Sequence, residues 1–374
     1  MKRNVVATVL GLMLIVAAGV LVLHGCKNNG AGKVDQKSPI RIAFNTWIGY
    51  SSFYLAEDKG FFSNRGITVE TKVIDPLAEK NAAMVRGDID GMGGTIDSAV
   101  ISAASGVKGK VVYMFDRSNG TDGILAIDSI KRVQDLKGKS VAVEEGFVGH
   151  FFLLYILDKN GMSPSDVKII PMTTDQAGAA FVAGKVDVAV TWEPYLSTAK
   201  ERKGSHVLVS SKELEPILAD TLFLSDSFIA SRPDDVKALV SALQEGNDYW
   251  LAHPDESNDI VAKRWNMKTE EVKSIMTTDE LYTVDNQRRQ FGTGEKGQLY
   301  EYVRKAAELW FKTGVIKNPV DADSLIDGFA VQELLRHRLS LSAPLLKQSA
   351  GEFLRIGIGC LIRPALASES LCTL

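Results

Sequence analysis

From Pro39 onward, short apolar runs rich in Val and Ile alternate with longer stretches of helical periodicity. Ile40–Phe44, Ile67–Val73, Ile89–Met92 and Lys110–Phe115 read as strands. Ser51–Asp58, Ala78–Arg86 and Asp97–Ser105 read as the helices between them, each closed by a glycine. The rhythm then restarts, with strands at Leu125–Asp128, Ser140–Val143, Val167–Pro171 and Val186–Thr191 and helices at His150–Lys159 and Thr174–Val182, and the style changes after Leu222-Phe-Leu224. Beyond them, 233–252, 255–276, 295–313 and 321–337 are mostly helical. Such alternation predicts an α/β fold of mostly parallel sheet flanked by helices. The run Ala83-Met-Val-Arg-Gly-Asp-Ile-Asp90 into Gly91 is echoed by Ala180-Phe-Val-Ala-Gly-Lys-Val-Asp187 into Val188, which suggests two related lobes.

The N-terminus follows different rules. Lys2 and Arg3 precede an almost wholly apolar run from Val5 to Leu23, after which Lys27-Asn28-Asn29-Gly30 is abruptly polar. This is the order of a secretory signal. Leu23-His24-Gly25-Cys26 resembles a bacterial lipobox, which makes Cys26 the expected lipidation site, residues 1–26 a lipoprotein signal peptide and 27–39 a flexible tether. His24 is unusual for a lipobox, and the apolar run is near the ~20 residues of a bilayer span, so an uncleaved anchor is the competing reading. Either way the body is expected outside a bacterial cytoplasm, in the periplasm or at the cell surface, tethered to a membrane.

Composition narrows the chemistry. The 374 residues are 45% apolar and 24% charged, with a net charge of −3, so nothing points to a nucleic-acid partner. The three cysteines are Cys26, Cys360 and Cys372, leaving the body without disulfide, Cys-type zinc site or thiol nucleophile. The five histidines lack metal-ligand spacing, and the nucleophile-elbow, zinc-protease and P-loop motifs are missing. No catalytic residue, cofactor or metal is therefore expected. Residues 338–374 lose the periodicity and read as an atypical tail, within which Cys360 and Cys372 could pair.

Trp47-Ile-Gly-Tyr-Ser-Ser-Phe-Tyr-Leu-Ala-Glu-Asp-Lys-Gly-Phe-Phe62 resembles the opening of the periplasmic binding components of nitrate, sulfonate, taurine and thiamine-precursor ABC importers. Gly87-Asp-Ile-Asp-Gly91, Asp135-Leu-Lys-Gly-Lys-Ser-Val-Ala-Val143 and Val190-Thr-Trp-Glu-Pro-Tyr195 continue the likeness in order. The resemblance implies a two-lobed, type II-like periplasmic-binding-protein fold with two hinge crossings. Lobe 1 would be 40–121 plus 222–337 and lobe 2 would be 122–221, with crossings near Ser118–Gly123 and Asp220–Leu224. It also implies a monomer that takes a small-molecule ligand and meets the permease subunits of an importer.

Ligands in open α/β sheets sit beyond the carboxyl ends of the strands. Those ends carry Asn45, Trp47, Gly49, Tyr50, Gly94, Thr95, Asp97, Ser118, Asn119, Asp122, Glu145, Phe147, Trp192, Glu193 and Asp220, the candidate binding residues. Helix starts at Tyr50–Ser52, Gly94–Ile96 and Gly146–Gly149 could offer N–H groups to a sulfonate or carboxylate. The side chains point the other way: Asp97, Asp122, Glu145, Glu193 and Asp220 are acidic and suit an amino-bearing ligand, while Trp47, Phe147 and Trp192 suit ammonium groups or flat rings. Plainer roles compete. Asp97 could cap its helix, Glu193 could satisfy a turn before Pro194, the two Trp could be core, only one of Glu144 and Glu145 is expected to face the cleft, and His150 reads as a helix residue at the rim. Taurine-like or alkanesulfonate ligands rank first and a pyrimidine thiamine precursor second. An extracellular sensor domain and an enzyme are the alternative classes.

Overall fold

The computed structural model describes residues 38–199 and 201–338. The expected signal peptide with Cys26, most of the expected tether and the tail with Cys360 and Cys372 lie outside the described residues. Among the described residues, no helix is long and apolar enough to cross a membrane.

The strands are β1 (Ile40–Phe44), β2 (Val69–Val73), β3 (Gly91–Thr95), β4 (Gly109–Ser118), β5 (Asp122–Ile127), β6 (Ser140–Val143), β7 (Lys168–Pro171), β8 (Val188–Trp192), β9 (Ser205–Ser210), β10 (Ala219–Ser225) and β11 (Asp279–Leu281). They form two sheets, ordered β11-β4-β10-β3-β1-β2 and β7-β6-β8-β5-β9. The fold is the expected α/β, two-lobed one, but both sheets are mixed rather than mostly parallel. β10 pairs antiparallel with β3 and β4, and β5 pairs antiparallel with β8 and β9. The cause is topological. The chain enters each sheet from the other one at the end where the parallel strands finish, so its first strand there must run away from that end.

The connection from β4 to β5 is only residues 119–121, and the return from β9 to β10 spans 211–218, upstream of the expected 220–224. Ser211 ties the two together: its Oγ lies 2.6 Å from Ser118 Oγ and accepts from Gly120 N at 2.9 Å. Behind the connections, Glu215 accepts from Tyr155 and, at 2.7 Å, from Lys305. Tyr155 lies on helix Val148–Lys159 beside the second sheet and Lys305 on helix Gln298–Lys312 beside the first, so this carboxylate bridges the two halves.

The central strands are buried on both faces, as near-continuous apolar runs require. Phe44, Tyr50, Phe53 and Phe115 pack ring on ring beneath the first sheet's cleft end, with Phe44–Tyr50 centroids 5.3 Å apart and Tyr50–Phe115 5.2 Å edge-on. Elements without a strong local signal escaped the sequence reading. β9 is a half-buried edge strand, β11 has three residues, and helices Tyr195–Ala199, Asp226–Ser231 and Val284–Phe291 are short. The 255–276 stretch is two helices, Pro254–Trp265 and Thr269–Met276, parted by Asn266 at φ 52°. In the 321–337 stretch, a 3-10 turn at Ala322–Leu325 precedes a helix over 329–338.

Helix Pro233–Ala252 crosses helix Ser52–Asp58 at Gly246, where an added Cβ would stand 2.6 Å from the Ser52 carbonyl oxygen. Alanine improves intrinsic helix propensity by ~1 kcal/mol, but backbone cannot yield as a flexible side chain does, and overpacking costs ~1–3 kcal/mol. Gly246→Ala is therefore expected to destabilise by up to about 2 kcal/mol net in urea unfolding. A stabilised variant would show that the helices slide apart freely.

Candidate functional site

The strand ends of both sheets converge on one cavity. Asn45 and Trp47 follow β1, Thr95 ends β3, Ser118 ends β4, and Asp220 and Asp279 begin the antiparallel β10 and β11. Asp122 begins β5, Phe147 and Val148 follow β6, and Trp192 ends β8; Thr121 and Leu218 come from the connections. The space left between these walls is ≈ 40 Å³, room for a few waters. Phe147 and Trp192 form one aromatic wall, their rings 5.8 Å apart.

Eight of the residues singled out from sequence line this cavity: Asn45, Trp47, Thr95, Ser118, Asp122, Phe147, Trp192 and Asp220. The other seven stand behind or beside it. Tyr50 is fully buried and donates its hydroxyl to Asp220 Oδ1. Gly49 is the close-packing point beneath Trp47, since a Cβ there would lie 2.2 Å from Asp116 Oδ2 and 2.4 Å from Trp47 Nε1. Gly94 gives its carbonyl to Thr221 Oγ1 at 2.8 Å, inside the sheet. Asn119 is spent on the connection, its N–H bonding Thr278 O at 2.9 Å. Glu145 is exposed, and its neighbour Glu144 caps helix Thr174–Val182 by accepting from Thr174 N at 3.0 Å, so neither faces the cavity. Glu193 takes the local role: its carboxylate accepts from Ser197 N at 2.9 Å and Ser197 Oγ at 2.8 Å. Asp97 is fully buried in the first turn of helix Ile96–Ala104, near its own and the Ser98 N–H. His150 is buried, accepts from Gly146 N at 3.2 Å and is kept neutral, burial pulling its pKa down to about 4.

Six contributors were missed: Asp116, Asp279, Lys80, Thr121, Val148 and Leu218. Asp116 sits opposite Asp220 in the β4–β10 ladder and is wholly buried behind the wall. Asp279, only 8% exposed, pairs with Ser118 across β4–β11. Lys80, fully buried, donates to Gly93 O at 3.0 Å and Asn45 Oδ1 at 3.3 Å. A single Asp in an apolar strand was the available signal for Asp116; Asp279 and Lys80 showed none.

These groups are electrostatically linked. Burial, then the charges of Asp279 and Asp220, push Asp116 well above the carboxylate range, so it keeps its proton beside Asp220. Burial, then Asp220 and Asp122, do the same to Asp279. Burial lifts Asp97 and Asp122 to about 7. Asp220 is also raised by burial, but the Tyr50 hydroxyl, Asp116, Lys80 and the Trp47 indole oppose the shift, making it the acid best equipped to stay charged. Trp47 Nε1 faces this carboxylate without closing an aligned bond. Burial lowers Lys80 from 10.5 to about 8, against the pull of Asp220 and Asp75. Among the described residues, no cluster of His, Cys, Asp or Glu has metal-binding geometry.

Asp97 and Asp122 hold protons to about pH 7 when folded but only to about 4 when unfolded. The folded chain binds more protons between those values, so these groups withdraw stability as pH rises from about 4 to 7. Lys80 acts oppositely, adding stability as pH rises from about 8 to 10.5. Asp122→Asn is expected to gain stability over the parent protein as pH goes from 5 to 8 in urea unfolding. A gap that stays constant across that range would show that Asp122 titrates normally.

Residues 47–257 match the family described as NMT1/THI5 like. A provisionally named binding protein of Brucella abortus is 27% identical over 294 residues, covering 76% of this chain and 88% of its own length. A protein of Bacillus subtilis, provisionally named as an aliphatic sulfonates-binding protein, is 26% identical over 341 residues, covering 88% and 98%. In fold, the crystal structure of the periplasmic aliphatic sulphonate binding protein SsuA from Escherichia coli superimposes with a TM-score of 0.66 at 20% identity, covering 78% of this chain and 92% of that one.

Proposed function

This chain belongs to the NMT1/THI5-like family, and from that premise we propose that it is the extracytoplasmic solute-binding component of an ABC importer. It captures a small polar organic molecule, taurine- or alkanesulfonate-like or amino-bearing, between its two sheets. The observation that carries this reading is the cavity itself, whose walls come from the strand ends of both sheets and from both connections. A ligand touching both halves favours the arrangement in which they are closest, which is how a binding event becomes a closure that a permease can recognise. In this reading 119–121 and 211–218 are the hinge, and the Glu215 bridge behind it limits the travel. The names of the relatives, an aliphatic sulfonates-binding protein among them, support a solute-binding role.

A pyrimidine thiamine precursor is the second reading, favoured by one feature: Trp47, Phe147 and Trp192 offer flat faces beside carboxylates that could accept from a ring amine. Catalysis finds no support in the wall chemistry. The acids face a cavity with no thiol, since residues 27–359 contain no cysteine, and His150 is turned to Gly146.

A thermal-shift screen against taurine, alkanesulfonates, nitrate, pyrimidine thiamine precursors, polyamines and amino acids tests the role. A ligand at 100 times its dissociation constant adds about 2.7 kcal/mol of stability. Trp192→Ala should weaken the best hit about tenfold or more while leaving unfolding cooperative, because the ring is only half-buried. Unchanged affinity in that variant would place the ligand outside this cavity.

A further inference from the structure

The chemistry of the walls narrows the ligand class, an inference that rests on the binding role proposed above. Asp122, Asp220 and Asp279 border the space, and Asp116 stands directly behind Asp220. Both carboxylate oxygens of Asp116 and both of Asp279 are buried without a hydrogen-bond donor among the protein's own groups. An acceptor left in that state is costly, and because Asp279 borders the space, a ligand that brings N–H groups would complete it.

The donors that could have served an anion are already committed. Lys80 is turned to Gly93 O and Asn45 Oδ1, the Tyr50 hydroxyl to Asp220, and the Arg117 guanidinium to Glu280 at 2.6 Å. The buried Asp97 carboxylate, itself without a hydrogen bond, puts an acid in the first turn of helix Ile96–Ala104, and the Gly146 N–H is held by His150. The start of helix Val148–Lys159 does border the cavity, with Phe147 at its N-cap forming no side-chain bond, and could carry an anionic tail. One set of helix amides against three acids makes that tail an addition rather than the anchor.

We propose that this cleft selects a small organic cation. Its amine or amidinium N–H groups complete the Asp122–Asp220–Asp279 acceptors, its carbon frame lies against Trp47, Phe147 and Trp192, and an anionic group is dispensable. Carboxylates satisfy a protonated amine or a planar amidinium fork with charge-assisted bonds. The aromatic walls add cation–π attraction and exclude water.

Binding a cation favours the ionised form of every acid around it, so it expels protons; binding an anion draws protons in. The titratable groups that line the site or stand just behind its walls, and so set this balance, are Asp97, Asp116, Asp122, Asp220, Asp279, Tyr50 and Lys80.

The test is calorimetry and tryptophan fluorescence on the full chain with benzamidine, putrescine, ethanesulfonate and taurine. The cations are expected to bind at least tenfold more tightly than ethanesulfonate at pH 8. That preference should shrink as pH falls to 5.5, and titrations in buffers of different ionisation enthalpy should show net proton release. Asp279→Asn should weaken cation binding tenfold or more while raising thermal stability, because it removes an unpaired buried acid; Asp122→Asn gives the same binding readout should the first variant fold poorly. Ethanesulfonate matching the cations, or net proton uptake, would overturn the cation assignment, and if that binding is lost in Trp192→Ala the cleft reading survives. Silence from all four probes, in fluorescence and heat alike, would overturn the cation assignment, while the binding role itself stands or falls with the wider screen above.

Discussion

The Tyr50 hydroxyl meets Asp220 at the place where the chain re-enters the six-stranded sheet. β10 must start there, between β3 and β4, because the return connection delivers it at the cleft end. Its first polar residue therefore lands opposite Asp116 and within the field of Asp279, Asp122 and Lys80. Carboxylates this close and this dry cannot all be ionised. Tyr50, set rigidly by Phe44 and Phe115, resolves the conflict by favouring charge on Asp220 while Asp116 and Asp279 keep their protons.

That arrangement weakens the protein locally, and in the proposed reading it serves the site. Apolar residues at 116 and 279 would pack without unpaired oxygens, whereas acids there store a demand for donors that the protein does not meet. Groups left unsatisfied in a cleft are pre-organised for a partner: the ordering cost is met during folding, and the bond energy is released on binding. Gly49 belongs to the same device, since any side chain there would displace Asp116 or Trp47.

The two connections explain how such a site could open. Three residues join β4 to β5, so the first crossing has little freedom beyond its few dihedrals, and Ser211 pins it to the second. Behind them the Glu215 bridge to Tyr155 and Lys305, and the Lys312–Asp158 pair at 2.5 Å, link the helices that border the two sheets. The exposed pair Lys312–Asp158 contributes little. In the proposed hinge Glu215 would have more leverage, because it sits on the crossing itself.

What could be read from residues alone was whatever depends on near neighbours. Strands such as Ser140–Val143 and helices such as Thr174–Val182 appeared with their observed bounds, because apolar period and capping residues act within a few positions. Strand ends also pointed to the cavity, which is why Trp47, Asp122, Trp192 and Asp220 could be named. The chain order alone could not show that β10 and β5 would run backwards, or that Asn266 would split a helical stretch. It could not tell Glu193 and Glu145, whose carboxylates serve a local turn or face water, from Asp116 and Asp279, which gather around Asp220 from strands far apart in sequence. Burial and charge coupling are properties of neighbours in space, and only the pairing of β4, β10 and β11 decided which acids would share one dry pocket.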